Sequence, residues 1–170
     1  MAQRLEGNTH VNGTISATGI SVPLGIKNAD VSASAEILAS KMQHRFGVTY
    51  WQADGTAVAA AIVPIYTVRG ATATVQAIEV QCVDAPSGGD LAFSVDLLVA
   101  DVGTPTPASI LTGTVAYSAT QTDCEVEVGT ISSASLTDGD MLLVQVAVSG
   151  STGTQGQGLI VTVTLDEASA

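Results

Sequence analysis

The chain has 170 residues, of which 46% are hydrophobic and 12% are charged, and its net charge at pH 7 is −11. A chain of this length can bury a self-sufficient core, and its many aliphatic residues exclude an intrinsically disordered protein. Because Lys and Arg together number five, we expect no binding to nucleic acid or to an anionic membrane surface.

Residues 1–50 differ from the rest and are predicted to form an extended N-terminal arm. Their short apolar stretches are separated by Asn-Gly, Thr-Gly and Leu-Gly pairs and by Pro23, a pattern typical of strand pieces and turns. They hold four basic and three acidic residues, a balance of +1, whereas residues 51–170 hold one basic and thirteen acidic residues, a balance of −12. This asymmetry indicates two surfaces with different roles.

A short helix is predicted near 31–42. Asp30 is a suitable N-cap, and apolar residues follow it at helical spacing. The alternation of small and apolar residues from Val31 to Ile37 permits a strand instead.

Residues 51–170 are predicted to fold as an antiparallel β-sandwich, jelly-roll-like, of about seven or eight strands. Turn signals separate the apolar runs, and no convincing helix intervenes. Pro64 confines its strand to an edge or a bulge. In the strand at 124–128, Glu125 and Glu127 are expected to face water, whereas the residues that alternate with them, Cys124, Val126 and Val128, are expected to face inward. The predicted strands cover 62–68, 72–83, 91–100, 110–117, 124–128, 141–148 and 159–165.

The sequence carries no recognisable catalytic or metal-binding pattern. Both histidines, His10 and His44, lie far from any nucleophile-elbow motif, and the two cysteines lack zinc-ligand spacing. We therefore predict no catalytic residues, no cofactor and no metal. With no apolar run of signal-peptide length, Cys82 and Cys124 are predicted to be two free buried thiols rather than a disulfide.

Two further segments admit a functional and a structural interpretation. Asp138-Gly139-Asp140 could supply two Ca²⁺ ligands, but Asp and Gly also dominate ordinary turns. The glycine-rich segment 150–158 has some likeness to a phosphate-binding loop, yet it lacks the lysine and the following helix. The turn and a flexible hairpin connection are the favoured interpretations.

Arg45, Phe46, Tyr50 and Trp51 form a cluster between the arm and the sandwich. The cluster could plug one end of the sandwich, or it could anchor a protein partner, since Trp, Tyr and Arg dominate interface hot spots. Both interpretations are retained.

Four segments resemble small virion proteins of tailed bacteriophages, of the head-decoration, cement or head-fibre kind. They are NADVSASAEILASKMQHR at 28–45, VRGATATV at 68–75, GDLAFSVDL at 89–97 and LTDGDML at 136–142. The resemblance implies a mainly-β structural protein on the capsid exterior, made in the bacterial host cytoplasm. It further implies the major capsid protein as partner and a homotrimer as the assembly.

The residues predicted to contact the capsid or other copies are chosen for charge and aromatic character. They are Arg4, Lys27, Lys41, Arg45, Phe46, Tyr50 and Trp51. The alternative function is a β-sandwich binding module of a head or tail fibre that recognises a host-surface glycan, and an enzyme is the third possibility.

Overall fold

The computed structural model describes residues 43–70, 72–104 and 106–168. These residues form ten strands and no helix, so they contain no candidate for a membrane-spanning helix. In chain order the strands are β1 (Gln43–Trp51), β2 (Ala61–Thr67), β3 (Ala73–Asp84), β4 (Ala92–Ala100), β5 (Ala108–Ser109), β6 (Val115–Tyr117), β7 (Glu127–Val128), β8 (Ser135–Leu136), β9 (Met141–Ser149) and β10 (Gln157–Ala168).

The described strands make two five-stranded sheets in which every pairing is antiparallel. The first sheet runs β1-β10-β3, and both β7 and β8 pair with the far side of β3. The second sheet runs β2-β9-β4, and both β5 and β6 pair with the far side of β4. The coarse prediction of an antiparallel two-sheet β architecture is therefore confirmed.

Alternate side chains of the two sheets pack into one core. In β10, Leu159, Val161, Val163 and Leu165 are fully buried, whereas the residues between them are half-exposed. This alternation follows from the two-residue repeat of a strand, and each fully buried Val or Leu contributes about 1.5–3 kcal/mol. The second sheet contributes side chains that alternate in the same way: Phe93, Val95, Leu97, Leu142, Val144 and Val146.

An aromatic pair fills the middle of the second sheet. The rings of Phe93 on β4 and Tyr117 on β6 stack with centroids 5.1 Å apart and planes 6° apart. The fully buried Tyr117 hydroxyl donates to the carbonyl oxygens of Thr122 and Glu125, each at 3.0 Å. Burial raises the pKa of Tyr117 to about 12. The hydroxyl thus ties the 118–126 loop to the core.

Five predicted strands are found within three residues of their expected bounds, as β2, β3, β4, β9 and β10. The strand expected at 110–117 is confined to β6, and the one expected at 124–128 is confined to β7. Cys124 interrupts the latter with a φ of +59°, a left-handed conformation that a strand does not contain. The expected burial there was also wrong, because Val126 and Val128 are 47% and 63% exposed.

Both cysteines are free, as predicted, but only one is buried. The Cys82 thiol lies 2.9 Å from the carbonyl oxygen of Asp84 and 3.0 Å from that of Gln157, and burial raises its pKa to about 11. Cys124 is exposed and lies in a turn, where its backbone is left-handed.

The predicted boundary of the arm falls inside a strand of the structure. Residues 43–50, grouped with the arm on their sequence, form most of β1. The rest of the predicted arm, including the possible helix near 31–42, lies outside the described residues.

We expect Tyr117→Phe to lower the free energy of unfolding by about 1 kcal/mol, because the hydrogen bonds of the buried hydroxyl to the Thr122 and Glu125 carbonyl oxygens are lost while the ring stack remains. Urea denaturation monitored by circular dichroism measures the change. Tyr50→Phe, at a half-exposed tyrosine, is the matched control and should cost under about 0.5 kcal/mol. Equal losses in the two variants would contradict this role for the Tyr117 hydroxyl.

Candidate interaction surface

Strand β1 carries the four predicted partner-binding residues that the structure describes, and it divides them between its two faces. Phe46 and Tyr50 are half-buried and pack against the core, together with Val48 between them. Arg45 and Trp51 lie on the opposite, exposed face. This division follows from the two-residue repeat. Arg4, Lys27 and Lys41 lie outside the described residues.

Phe46 and Tyr50 help to close the sandwich at one edge. The Phe46 ring lies 5.4 Å from the ring of Tyr66 on β2, tilted by 59°. The Tyr66 hydroxyl donates to Glu167 Oε1 on β10 at 2.7 Å and thereby joins the two sheets; burial, reinforced by this carboxylate, raises the pKa of Tyr66 to about 12. Tyr50 accepts a hydrogen bond from Gln52 Nε2 at 2.8 Å. The plug interpretation fits these two aromatic residues.

Arg45 makes a two-pronged ion pair with the strand beside it. Its Nε and Nη2 donate to the two carboxylate oxygens of Asp166 on β10 at 2.7 and 2.9 Å. The hydrogen bond raises the pKa of Arg45 and lowers that of Asp166. The Arg45 side chain is 67% exposed, so the pair contributes little to stability and mainly fixes the orientation of the guanidinium plane.

Trp51 is 65% exposed at the other end of the same face. Its cross-strand neighbour is the half-buried Ile160 of β10. Between Trp51 and Arg45 this face carries Gly47 and Thr49 on β1, paired with Thr164 and Thr162 on β10. Trp and Arg are among the residues enriched at the hot spots of protein interfaces. The anchor interpretation therefore fits Arg45 and Trp51.

The acidic cluster at 138–140 is a structural turn. Asp138 Oδ1 accepts the Gly70 N–H at 2.6 Å. The buried Asp140 accepts the Thr137 N–H at 2.7 Å, the Thr137 hydroxyl at 2.9 Å and the Val102 N–H at 3.3 Å. These bonds lower the pKa of Asp140. Within the described residues no three His, Cys, Asp or Glu side chains are grouped to hold a metal ion.

The glycine-rich segment 150–158 connects strands of different sheets, and it is therefore not the expected hairpin connection. It joins β9 of the second sheet to β10 of the first. Asp90 Oδ1 clasps it by accepting the N–H groups of Ser151 and Thr152 at 3.0 and 2.6 Å and the Thr152 hydroxyl at 2.6 Å. These bonds lower the pKa of Asp90 to about 2. Gly153, with a φ of +102°, is required because a Cβ there would meet Gly89 and the Ser87 carbonyl oxygen.

An open groove of about 310 Å³ lies between residues 112–115 and 128–130. Threonines, glycines and valines line it, and none of these side chains can transfer a proton near neutral pH or bind a metal strongly.

Two features of this region were not foreseen. One is that β1 is a regular strand, for which the alternation of apolar and polar residues from Phe46 to Trp51 is the available signal. The other is the clasp between Asp90 and Thr152, for which spacing provides no signal because 62 positions separate the two residues.

We expect Trp51→Ala to leave the fold intact and Phe46→Ala to destabilise it. Trp51 is largely in water, so its truncation should shift the free energy of unfolding by about 0.5 kcal/mol or less, whereas loss of the half-buried Phe46 ring should cost about 2–4 kcal/mol. Thermal and urea unfolding of both variants measure this. If Trp51→Ala unfolded the sandwich, the interpretation that Trp51 helps to close one end of the sandwich would be favoured instead.

The clasp at Asp90 predicts a dependence of stability on pH. Because its pKa is lowered on folding, to about 2, its stabilisation is complete above the unfolded value near 4 and is lost as the pH falls towards 2. Asp90→Asn should lower the Tm at pH 7 and flatten the Tm profile between pH 4 and 2. Asp101→Asn, at an exposed aspartate without a side-chain hydrogen bond to the described residues, is the matched control; an equal effect there would contradict the clasp.

A comparison of the whole chain with protein-family models and with curated proteins finds no match to either.

Proposed function

We propose that this protein is a structural virion protein of a tailed bacteriophage that binds the outer surface of the capsid and stabilises it. The observation that carries the proposal is the division of charge: a balance of −12 over residues 51–170 against +1 over residues 1–50. An acidic body keeps decorated particles apart by like-charge repulsion. The less acidic arm can approach an acidic assembly without that penalty.

We infer further that the sandwich is a jelly roll. If β5 and β6 are counted as one interrupted strand, and β7 and β8 as another, the fold has eight strands. Numbered along the chain, their order is 1-8-3-6 in the first sheet and 2-7-4-5 in the second sheet. A double Greek key produces this order, and viral capsid and lectin domains are among the proteins that use it. The fold alone assigns no function, but it is compatible with a virion role.

The placement of the carboxylates also supports a structural role. Asp90, Asp138 and Asp140 are occupied in accepting hydrogen bonds from loops that cross between strands. Asp123 accepts the Ala85 N–H at 2.9 Å in the same manner. Such carboxylates stiffen the loops of an acidic body, as a long-lived particle component requires.

In this proposal the arm makes the contact with the major capsid protein. An extended segment can add strands to an exposed sheet edge of a neighbouring subunit, and Arg4, Lys27 and Lys41 supply cations for charge complementarity. Arg45 and Trp51 stand where the arm joins the sandwich and would extend the same contact surface.

A binding module for a host-surface glycan is the second candidate. The observation that favours it is Trp51, which is 65% exposed beside the hydroxyls of Thr49 and Thr162 on the same sheet face. Aromatic faces stack on sugar rings, and hydroxyls can bond their polar edges. Copy number separates the candidates, since a cement protein sediments with particles in many copies and a fibre-tip protein in few.

We expect a chain lacking residues 1–40 to keep its β-sheet circular dichroism and to lose capsid binding, because it retains β1 but not the arm. Co-sedimentation with undecorated capsids of the encoding phage measures binding. A chain lacking residues 1–51 is the structural control and should unfold, since it exposes one side of β10. Arg45→Ala should weaken binding more than Lys27→Ala. Full-occupancy decoration by the chain lacking residues 1–40 would assign the contact to the acidic body.

The proposed assembly is a homotrimer. The body is rich in Ala, Val, Thr and Ser, whose small side chains each bury little apolar area, and association of chains would add to the area buried. Sedimentation equilibrium of the free protein and mass measurement on the particle test this; monomers in both settings would rule out the trimer.

A further inference from the structure

Strand β1 is a long and regular sheet edge. It pairs with β10 from Gln43 to Trp51 without a bulge, and among the described strands β10 is its one partner. The other edges are unsuited to pairing: β2 contains Pro64 and a register shift next to it, and β5 to β8 have two or three residues each. Natural proteins usually shield a long edge because its unpaired backbone groups can pair with another chain.

The backbone polarity of this edge follows from one hydrogen bond. The Gln52 N–H donates to the Leu159 carbonyl oxygen at 2.8 Å and therefore points towards β10. Because successive residues of a strand point their backbone groups to opposite sides, the N–H and C=O groups of Thr49 and Trp51 point to the free side, as do those of Arg45 and Gly47. Four residues thus present both a donor and an acceptor to an incoming strand.

The side chains of β1 are arranged symmetrically about Val48. Arg45 and Trp51 lie three residues before and after it on the exposed face, and Phe46 and Tyr50 lie two residues before and after it on the inner face. An antiparallel second copy of β1, related by a twofold axis at Val48, would place Arg45 opposite Trp51 and Phe46 opposite Tyr50. The two pairs are a cation–π contact and an aromatic cross-strand contact, which both stabilise antiparallel sheets.

We propose that β1 is an interface between two copies of this chain, in which the β1 strands pair antiparallel about Val48 and join the two first sheets into one. The pairing forms about eight backbone hydrogen bonds, two for each opposed pair of residues whose groups point to the free side. A second copy is the occupant that matches this edge, because the pattern of side chains is its own complement.

Charge favours this edge over the rest of the surface. Residues 43–51 contain Arg45 and no acidic residue, whereas residues 51–170 carry −12. Two bodies of that charge repel wherever their acidic surfaces meet. Asp166 is neutralised by Arg45, and the two-pronged bond leaves both faces of the guanidinium plane free to stack on Trp51 of the other copy.

The interface extends beyond the proposed capsid role and does not depend on it. A twofold contact joins copies in pairs, so it can link two monomers in solution or two trimers on a particle.

Sedimentation velocity of the full chain with Thr49→Pro tests the pairing. Proline at position 49 removes an N–H that faces the free side and leaves the bonds to β10 in place. The expected result is a halved mass with an unchanged circular dichroism spectrum, while the matched control Thr49→Val keeps the wild-type mass. An unchanged mass for a folded Thr49→Pro chain would overturn the proposal, as would a wild-type chain that is monomeric at every concentration of a dilution series.

Crosslinking tests the register, and its result can be interpreted even if Thr49→Pro fails to fold. In a Cys124→Ser chain, Val48→Cys should form an intermolecular disulfide under mild oxidation, because the two copies of residue 48 face each other with Cα atoms about 4.5 Å apart. Thr49→Cys, although more exposed, lies opposite Gly47 and should crosslink much less. Equal crosslinking of the two variants, or the reverse order, would overturn the register. If the Thr49 amide of a monomer were protected from hydrogen exchange at every protein concentration, the proposal would be overturned, because the chain's own arm would then cover the edge.

Discussion

Strand β10 holds the first sheet together, and the rest of the described structure depends on its pairing. It pairs with β1 on one side and with β3 on the other along nearly its whole length, and it buries four apolar side chains, from Leu159 to Leu165. The strand also contains Asp166, which orients Arg45, and Glu167, which accepts a hydrogen bond from Tyr66 of the second sheet. The strand therefore fixes the edge where the candidate surface lies and ties that edge to the second sheet.

The carboxylates of this chain have two uses. All of them contribute to the negative charge of the body, and some also accept backbone hydrogen bonds where loops cross. Asp90 and Asp140 belong to the second group, and their lowered pKa values reflect those hydrogen bonds. An excess of carboxylates disfavours a compact state by repulsion, but some of these carboxylates also connect loops through hydrogen bonds.

The sequence predicts the long strands other than β1 well, and their surroundings less well. Strands β3 and β10 follow from the alternation of Val and Ile with Thr and Gln, which is a local property. Alternation also shows that Val126 and Val128 share a face. It does not show that this face is exposed, because burial depends on which other strands pack over it. The left-handed Cys124 that detaches this segment has no sequence signature.

The candidate site shows the same division between local and non-local information. The grouping of Arg45, Phe46, Tyr50 and Trp51 was visible in the sequence, and a two-residue repeat sorts them into faces once β1 is known to be a strand. The partners of these residues were not predictable: Asp166 lies 121 positions from Arg45, and Tyr66 meets Phe46 across the two sheets. Such contacts are products of the topology.

The distance along the chain between β1 and β10 also matters during synthesis. On the order of 100 residues separate them, and at about 5–20 residues per second a ribosome needs about 5–20 s to make that stretch. Until β10 emerges, β1 and β3 both lack their common partner, and β9, which lies between β2 and β4 in the second sheet, is made only shortly before β10. The first sheet can therefore be completed only once β10 has been made, because β10 lies between two strands that are made earlier.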